Sequence, residues 1–325
     1  MMLKDQLNAV TAFAPASCAN LAVGFDALGL SFNALGDEVT LTRRQDSQLV
    51  IESVIGIELE QELPKDPTKN TATIALRHLL DCYSIKQGFN LVIKKGIPVS
   101  SGLGGSAASA IAALVALNQF LVKPLSNIEL AHFALASEQY VSGQAHADNI
   151  VPALFGGLTL TVAMQPLEVI ELPLPTAVVY CLVVHPEIEV PTRLSRQVLP
   201  SRVNCSQAVR QGVHFASFIS SLYRNDLACL QRYSQDVLIE QYRADLIPGF
   251  YEIQQVARTM GALMCSISGS GPSIFAWAEE KQALEKIANV AQAILAKRNI
   301  NSDYWLEQLS TQGACVIKEN SDALL

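Results

Sequence analysis

The chain has 325 residues, half of them hydrophobic and only 16% charged, with a formal net charge of -7 at pH 7. That length supports two domains with cores of their own. The acidic balance, with no Lys/Arg run longer than Arg43-Arg44 or Lys94-Lys95, offers no footprint for nucleic acid or an anionic membrane and leaves a small-molecule ligand as the default. Seven scattered cysteines without a CxxC pair suit a reducing cytosol and argue against structural zinc. A polar N-terminus and a longest apolar run of only Ala107–Leu117 predict a soluble, cytoplasmic protein.

In chain order, "VTAFAPAS", "DEVTLTRR", "QLVIESVIG" and "FNLVIKKG" read as strands from their β-branched residues or alternation. Helices follow over Ser106–Leu121 and Asn127–Val141. The second starts at Ser126 with Glu129 three residues on, a capping-box spacing in which each side chain satisfies the other's free backbone N–H. Prolines at 166, 173, 175 and 186 punctuate the next stretch, and we place a domain division at residue 168, giving 1–168 and 169–325. Beyond it, helices are predicted over 206–224, 227–243, 250–260 and 281–297. Short strands are predicted at "ALMCSIS", "SIFAWAE", "SDYWLEQL" and "GACVIKE". The mixture is that of an α+β sandwich.

The stretch "GIPVSSGLGGSAASAIAALVALN", from Gly96, feeds a glycine-rich loop into an apolar helix. Unpaired N–H groups and the positive end of a helix dipole converge at such a junction and suit phosphate. The competing reading is a turn that merely lets strand and helix pack closely. A lysine-bearing P-loop is disfavoured because the loop has no lysine. Gly102, Gly104 and Ala107 match GxGxxA, but no Asp or Glu occurs between Ser106 and Ile128 where a dinucleotide fold needs one. Ser100, Ser101 and Ser106 can donate to phosphate, and a hydroxyl at the helix start can ligate Mg2+. Glu138, in an otherwise apolar helix, is the candidate carboxylate; a place on that helix's solvated side stays open.

Three segments together, "APASCANLAVGFDALGL", "PVSSGLGGSAAS" and "SISGSGPSIFA", resemble the GHMP kinases, and "HADNIVPALFGG", "PTRLSRQVLP" and "YRADLIPGF" resemble their homoserine kinase branch. The family's loop usually reads GLGSSA; here Gly105 stands for its first serine. The resemblance implies a GHMP kinase fold: an N-terminal domain with a left-handed βαβ crossover and a C-terminal ferredoxin-like α+β domain. It also implies phosphorylation of the L-homoserine side-chain hydroxyl by ATP with Mg2+.

The same resemblance assigns ATP binding to Asn70 and to Pro98, Val99, Ser100, Ser101, Gly102, Leu103, Gly104, Gly105, Ser106, Ala107 and Ala108. It assigns Mg2+ to Ser106 and Glu138, and substrate binding to Asn20, Asp26, His146, Asn149, Thr192, Arg196, Arg243 and Gly269. Ser106, Glu138, Asn149 and Arg196 form the implied catalytic group. A carboxylate such as Asp26 suits an ammonium, and arginines suit an α-carboxylate. Because Asn149 stands where relatives place an aspartate, catalysis without a strong general base is expected. Taken singly, Asp26 and Asn20 also suit turns, and the arginines suit helix surfaces. Alternatives are another small-molecule kinase of the family, mevalonate kinase-like, or a nucleotide-binding regulator without catalysis. A homodimer through exposed faces of the C-terminal helices stays open.

Overall fold

The computed structural model describes residues 2–56, 65–143 and 146–321. The first half contains β1 (Leu7–Ala19), β2 (Leu28–Arg43), β3 (Leu49–Gly56), α1 (Thr71–Cys82), β4 (Phe89–Lys95), α2 (Gly105–Phe120), α3 (Asn127–Ser142), α4 (Ile150–Phe155), β5 (Leu158–Met164) and β6 (Leu167–Leu172). The second half contains β7 (Tyr180–Pro186), α5 (Thr192–Gln197), α6 (Cys205–Arg224), α7 (Leu227–Tyr233), α8 (Glu240–Arg243), α9 (Phe250–Thr259), β8 (Met264–Ile267), β9 (Ile274–Ala278), α10 (Lys281–Ala296), β10 (Ser302–Gln308) and β11 (Cys315–Ser321).

The first sheet runs β11-β1-β2-β4-β3, with the β5-β6 hairpin attached to β2. β3 and β4 are parallel and joined through α1, while the other pairs are antiparallel. α2 lies at the centre. Its residues from Ala107 to Leu114 are all buried, and it packs on β1, β2, α1, α3 and α4. A helix this apolar along most of its length is a core helix, which fixes where its N-terminus emerges. α3 starts with the expected box: the Ser126 N–H donates to Glu129 at 2.7 Å, and the Glu129 N–H points back to Ser126 Oγ.

The second sheet is antiparallel in the order β10-β7-β9-β8. Numbered within the sheet this is 4-1-3-2, with helices after its first and third strands, the ferredoxin-like arrangement. Strand alternation gives the sheet two buried faces. Cys181, Val183, Phe275 and Trp277 join the core of the first domain, whereas Leu182, Val184, Ile274 and Ala276 pack with residues of α9 and α10.

Three expectations shift. Residue 168 falls inside β6, which pairs with β5 in the first sheet; the change of sheet comes between Leu172 and Tyr180, and β11 returns to pair with β1. The helix predicted over 227–243 breaks after Tyr233. There the Asp236 carboxylate accepts the N–H groups of Leu238, Ile239 and Glu240 at 2.7, 2.8 and 3.0 Å, and α8 starts afresh. A short acidic side chain competing for local amides favours such a break over continuation.

Candidate active site

The loop between β4 and α2 turns on two glycines in the left-handed region, Gly102 (φ 76°) and Gly104 (φ 70°). Space also demands glycine at both positions. A Cβ on Gly102 would lie 2.6 Å from the carbonyl oxygens of Gly271 and Ser268, and one on Gly104 would lie 2.2 Å from Ser17 Oγ. The late loop "SGSGPS" locks against the first: Ser268 Oγ donates to Gly102 O at 2.9 Å and the Ser273 N–H to Ser101 O at 3.2 Å. The α1 N-terminus meets the α2 N-terminus here. Thr71 Oγ1 donates to Ser106 O at 3.1 Å, and Asn70 Oδ1 caps α1 by accepting the Ala72 N–H at 3.0 Å.

One cavity of about 300 Å³ collects the site. Pro98 to Gly102, Gly104 to Ala107, Asn70 and Glu138 line it together with Asn20, Asp26, His146, Asn149, Thr192, Arg196, Arg243 and Gly269. Glu138 is half-buried and faces this cavity, so the solvated-face alternative fails. Two members of the expected ATP-binding set lie elsewhere: Leu103 and Ala108 are fully buried in the core and do not line the cavity. The peptide of Leu103 anchors the loop instead, its O accepting the Ser17 N–H at 3.0 Å.

At the other end of the cavity, Asp26 receives a bidentate pair from Arg196, Nη2 to Oδ1 at 2.9 Å and Nη1 to Oδ2 at 3.2 Å, with His146 Nδ1 at 3.6 Å from Oδ2. Arg243 Nη1 and Asn20 Nδ2 both donate to Gly269 O, at 2.8 and 2.9 Å. Both guanidiniums lie over the Phe25 ring, 4.9 Å from its centroid for Arg243 and 5.8 Å for Arg196, a cation–π arrangement. Asn20, Leu21, Ala22 and Asp26 all have positive φ. The turn between β1 and β2 is therefore strained, as chains are where function dictates shape. Thr192 Oγ1 reaches Ser270 Oγ at 3.4 Å, and Asn149 Oδ1 accepts from Ser17 Oγ at 2.8 Å.

Burial, aided by Arg196, brings the Arg243 guanidinium down to about 10, still charged at neutral pH. Burial, against the pull of Asp26, also lowers the His146 imidazole, so that it is mainly neutral. Ser101 Oγ, His146 Nε2 and Arg196 Nε are buried without a hydrogen-bond partner among the described residues. Orphaned polar atoms lining a cavity are the groups a polar ligand satisfies. Ser106 Oγ and the Glu138 carboxylate line one cavity and are hard oxygen donors of the kind Mg2+ prefers.

The cavity also includes residues outside the expected set: Lys69, Thr71, Lys95, Ser109, Asp148 and Ser270. Lys95 carried a signal, since Phe89, Leu91, Ile93 and Lys95 alternate onto one buried strand face. Ser109 lies one turn after Ser106 on α2. Asp148 is buried, and that burial, with Asp26 and Glu138 nearby, pushes its carboxyl up to about 7.

With this geometry in hand, comparison with known proteins gives concordant matches. The model of the GHMP kinases N terminal domain matches residues 70–157, and that of the GHMP kinases C terminal domain matches 218–297. A homoserine kinase of Chloroherpeton thalassium is 40% identical over 319 residues, covering 95% of this chain and 99% of the relative. One of Xylella fastidiosa is 40% identical over 303 residues, covering 93% and 92%. The crystal structure of homoserine kinase from Cytophaga hutchinsonii superposes with a TM-score of 0.91 at 38% identity, over 98% of this chain and 100% of that one. The structure of L. major mevalonate kinase in complex with R-mevalonate shares the fold, with a TM-score of 0.74 at 16% identity over 96% of this chain and 100% of that one. The chain therefore belongs to the GHMP kinases and, within them, to the homoserine kinase family.

Proposed function

We propose that the chain transfers the γ-phosphoryl group of ATP to the side-chain hydroxyl of L-homoserine, giving O-phospho-L-homoserine for threonine biosynthesis. One observation carries this reading beyond the family likeness: the glycine loop at the α2 N-terminus and the Asp26–Arg196 pair open into a single cavity. The paired carboxylate and guanidinium match the two charges of an amino-acid zwitterion. Mevalonate has no ammonium and would leave Asp26 unmatched, which disfavours the mevalonate kinase alternative. The seven cysteines are free thiols, which fits a reducing compartment and supports a cytoplasmic location, and no helix among the described residues is long and apolar enough to cross a membrane.

In the mechanism we infer, the loop amides and the Ser101 hydroxyl bind the nucleotide's phosphates, with the α2 dipole adding positive potential. Ser106 and Glu138 hold the cation. Mg2+, when bound there, supplies charge neutralisation on the phosphates. Asp26 receives the substrate ammonium, Arg196 and Arg243 the carboxylate, and Asn149, fixed by Ser17, orients the acceptor hydroxyl. Phosphoryl transfer passes through a loose transition state, so alignment and electrostatics supply most of the acceleration. The acceptor proton then leaves late, to an oxygen of the transferred phosphoryl group, without a strong protein base. The test is a coupled assay of ADP release with ATP, Mg2+ and a panel of homoserine, mevalonate and galactose. Turnover with homoserine alone is expected. Turnover with mevalonate instead, or nucleotide binding with no turnover, overturns the proposal.

A further inference from the structure

No lysine sits in the glycine loop itself, yet Lys95 at the end of β4 lines the same cavity, and its side chain is only 6% exposed. An ammonium has three donors, and each is engaged by the protein. Lys95 Nζ pairs with Asp37 Oδ2, donates to Gly105 O at 3.0 Å and donates to Ser109 Oγ at 2.9 Å. Ser109 Oγ in turn donates to Asp37 Oδ2 at 2.6 Å. The other carboxylate oxygen, Asp37 Oδ1, accepts the N–H groups of Gly96 and Ile97 at 3.1 and 3.2 Å. Asp37 itself is fully buried.

These contacts fall at the two ends of one loop. Gly96 and Ile97 are its entry from β4, and Gly105 is its exit into α2. We infer that the Asp37–Lys95 pair is a staple that closes the phosphate loop at its base. Asp37 fixes the entry and Lys95 the exit, so the two are positioning residues for ATP rather than ligands of it. The inference rests on the reading that this loop holds ATP. At Gly105 a Cβ would meet Lys95 Nζ at 3.5 Å and Ile97 Cγ2 at 3.3 Å, so a side chain there would pack directly against the staple.

The test is a double-mutant cycle of D37N, K95M and D37N/K95M. Isothermal titration reads ATP and homoserine binding separately, and steady-state assays give both KM values. A buried pair that loses one member leaves an uncompensated charge and can fail to fold; the double variant has no such charge and decides the question. A staple predicts ATP affinity weaker by about 10- to 100-fold in the double variant, the scale of a misplaced binding group. Homoserine affinity should stay within about threefold, and any single that folds should be as impaired as the double, as for residues acting as one unit. A double variant that binds ATP like the parent overturns the inference. So does a cycle in which K95M weakens ATP binding while D37N leaves it intact, since that is the pattern of a direct phosphate ligand. If the unaltered protein itself fails to bind ATP, the reading of the cavity falls instead, a result distinct from either.

Discussion

Replacing Asp26 by Asn keeps the shape of the side chain and removes its charge. Arg196 then loses its bidentate partner, and two guanidiniums share the Phe25 face with no carboxylate between them. A hydrogen bond to a charged group contributes about 1.5–3 kcal/mol, and the Asp26 and Arg196 side chains are 29% and 25% exposed, which pulls the expectation toward the lower half of that range. About 2 kcal/mol corresponds to roughly 30-fold in affinity. The informative assay compares two acceptors, L-homoserine and γ-hydroxybutyrate, which keeps the carboxylate and hydroxyl but has no ammonium. The unaltered enzyme should favour homoserine in kcat/KM by about 30-fold, and Asp26→Asn should collapse that preference to near unity while KM for ATP stays put. A preference that survives the substitution would show that the ammonium docks elsewhere, and an equal loss for ATP would point to a disturbed fold.

Glu138→Gln should lower turnover by about tenfold or more, as expected for loss of an electrostatic contact on the transferring group, and raise the Mg2+ concentration needed for half-maximal rate. An unchanged Mg2+ titration assigns the cation to other residues. Asp148→Asn should leave single-turnover rates largely intact with both ligands bound, and abolition of transfer in a folded variant would make Asp148 the base. Gly102→Ala forces a side chain into left-handed backbone and against two carbonyl oxygens; the strain, about 1–3 kcal/mol, should lower Tm and raise KM for ATP, and a parent-like Tm refutes the packing argument. Burial pushes Glu307 up to about 7, above its unfolded value, so the folded state holds its proton more tightly. The stability this contributes is full at low pH and lost as pH rises through about 7. Glu307→Gln should therefore flatten the fall in Tm between about pH 4.5 and pH 7, although Asp148 and Glu240, also pushed up to about 7 by burial, keep part of the slope. An unchanged slope would count against a buried, protonated Glu307.

What was legible in the sequence was local. The Ser126–Glu129 box, the α2 run and the glycine loop before it are set by residues within a few positions of one another, and the structure has these elements where the pattern predicts. The break at Ser234–Ile239 was not legible, because Asp236 reads as one more polar residue in a helical stretch until its carboxylate is seen gathering three amides. Alternation along β4 places Lys95 on the buried face and Lys94 on the exposed one, but the role of Lys95 depends on Asp37, which lies 58 positions away in sequence. The gathering of Asp26, Arg196 and Arg243 in one cavity was legible only through family motifs. Nothing local to Asp26, Arg196 or Arg243 brings together a turn, a short helix and the end of another. Sheet membership follows pairing partners, and because β6 belongs with β5 the chain changes sheet a few residues beyond the division expected near residue 168.

The return of β11 to β1 has a consequence for how the molecule is made. Leu7 pairs with Ser321 and Phe13 with Cys315, so β1 acquires one of its neighbours from a strand about 300 positions further along the chain. A nascent or truncated chain ending near residue 179 would present β1 as an open edge, a template for pairing with other chains. Completion of the second sheet and its helices is what carries β11 back to close that edge. The polypeptide thus leaves the first sheet after β6 and re-enters it at β11, which makes the ferredoxin-like unit an excursion tethered at both ends.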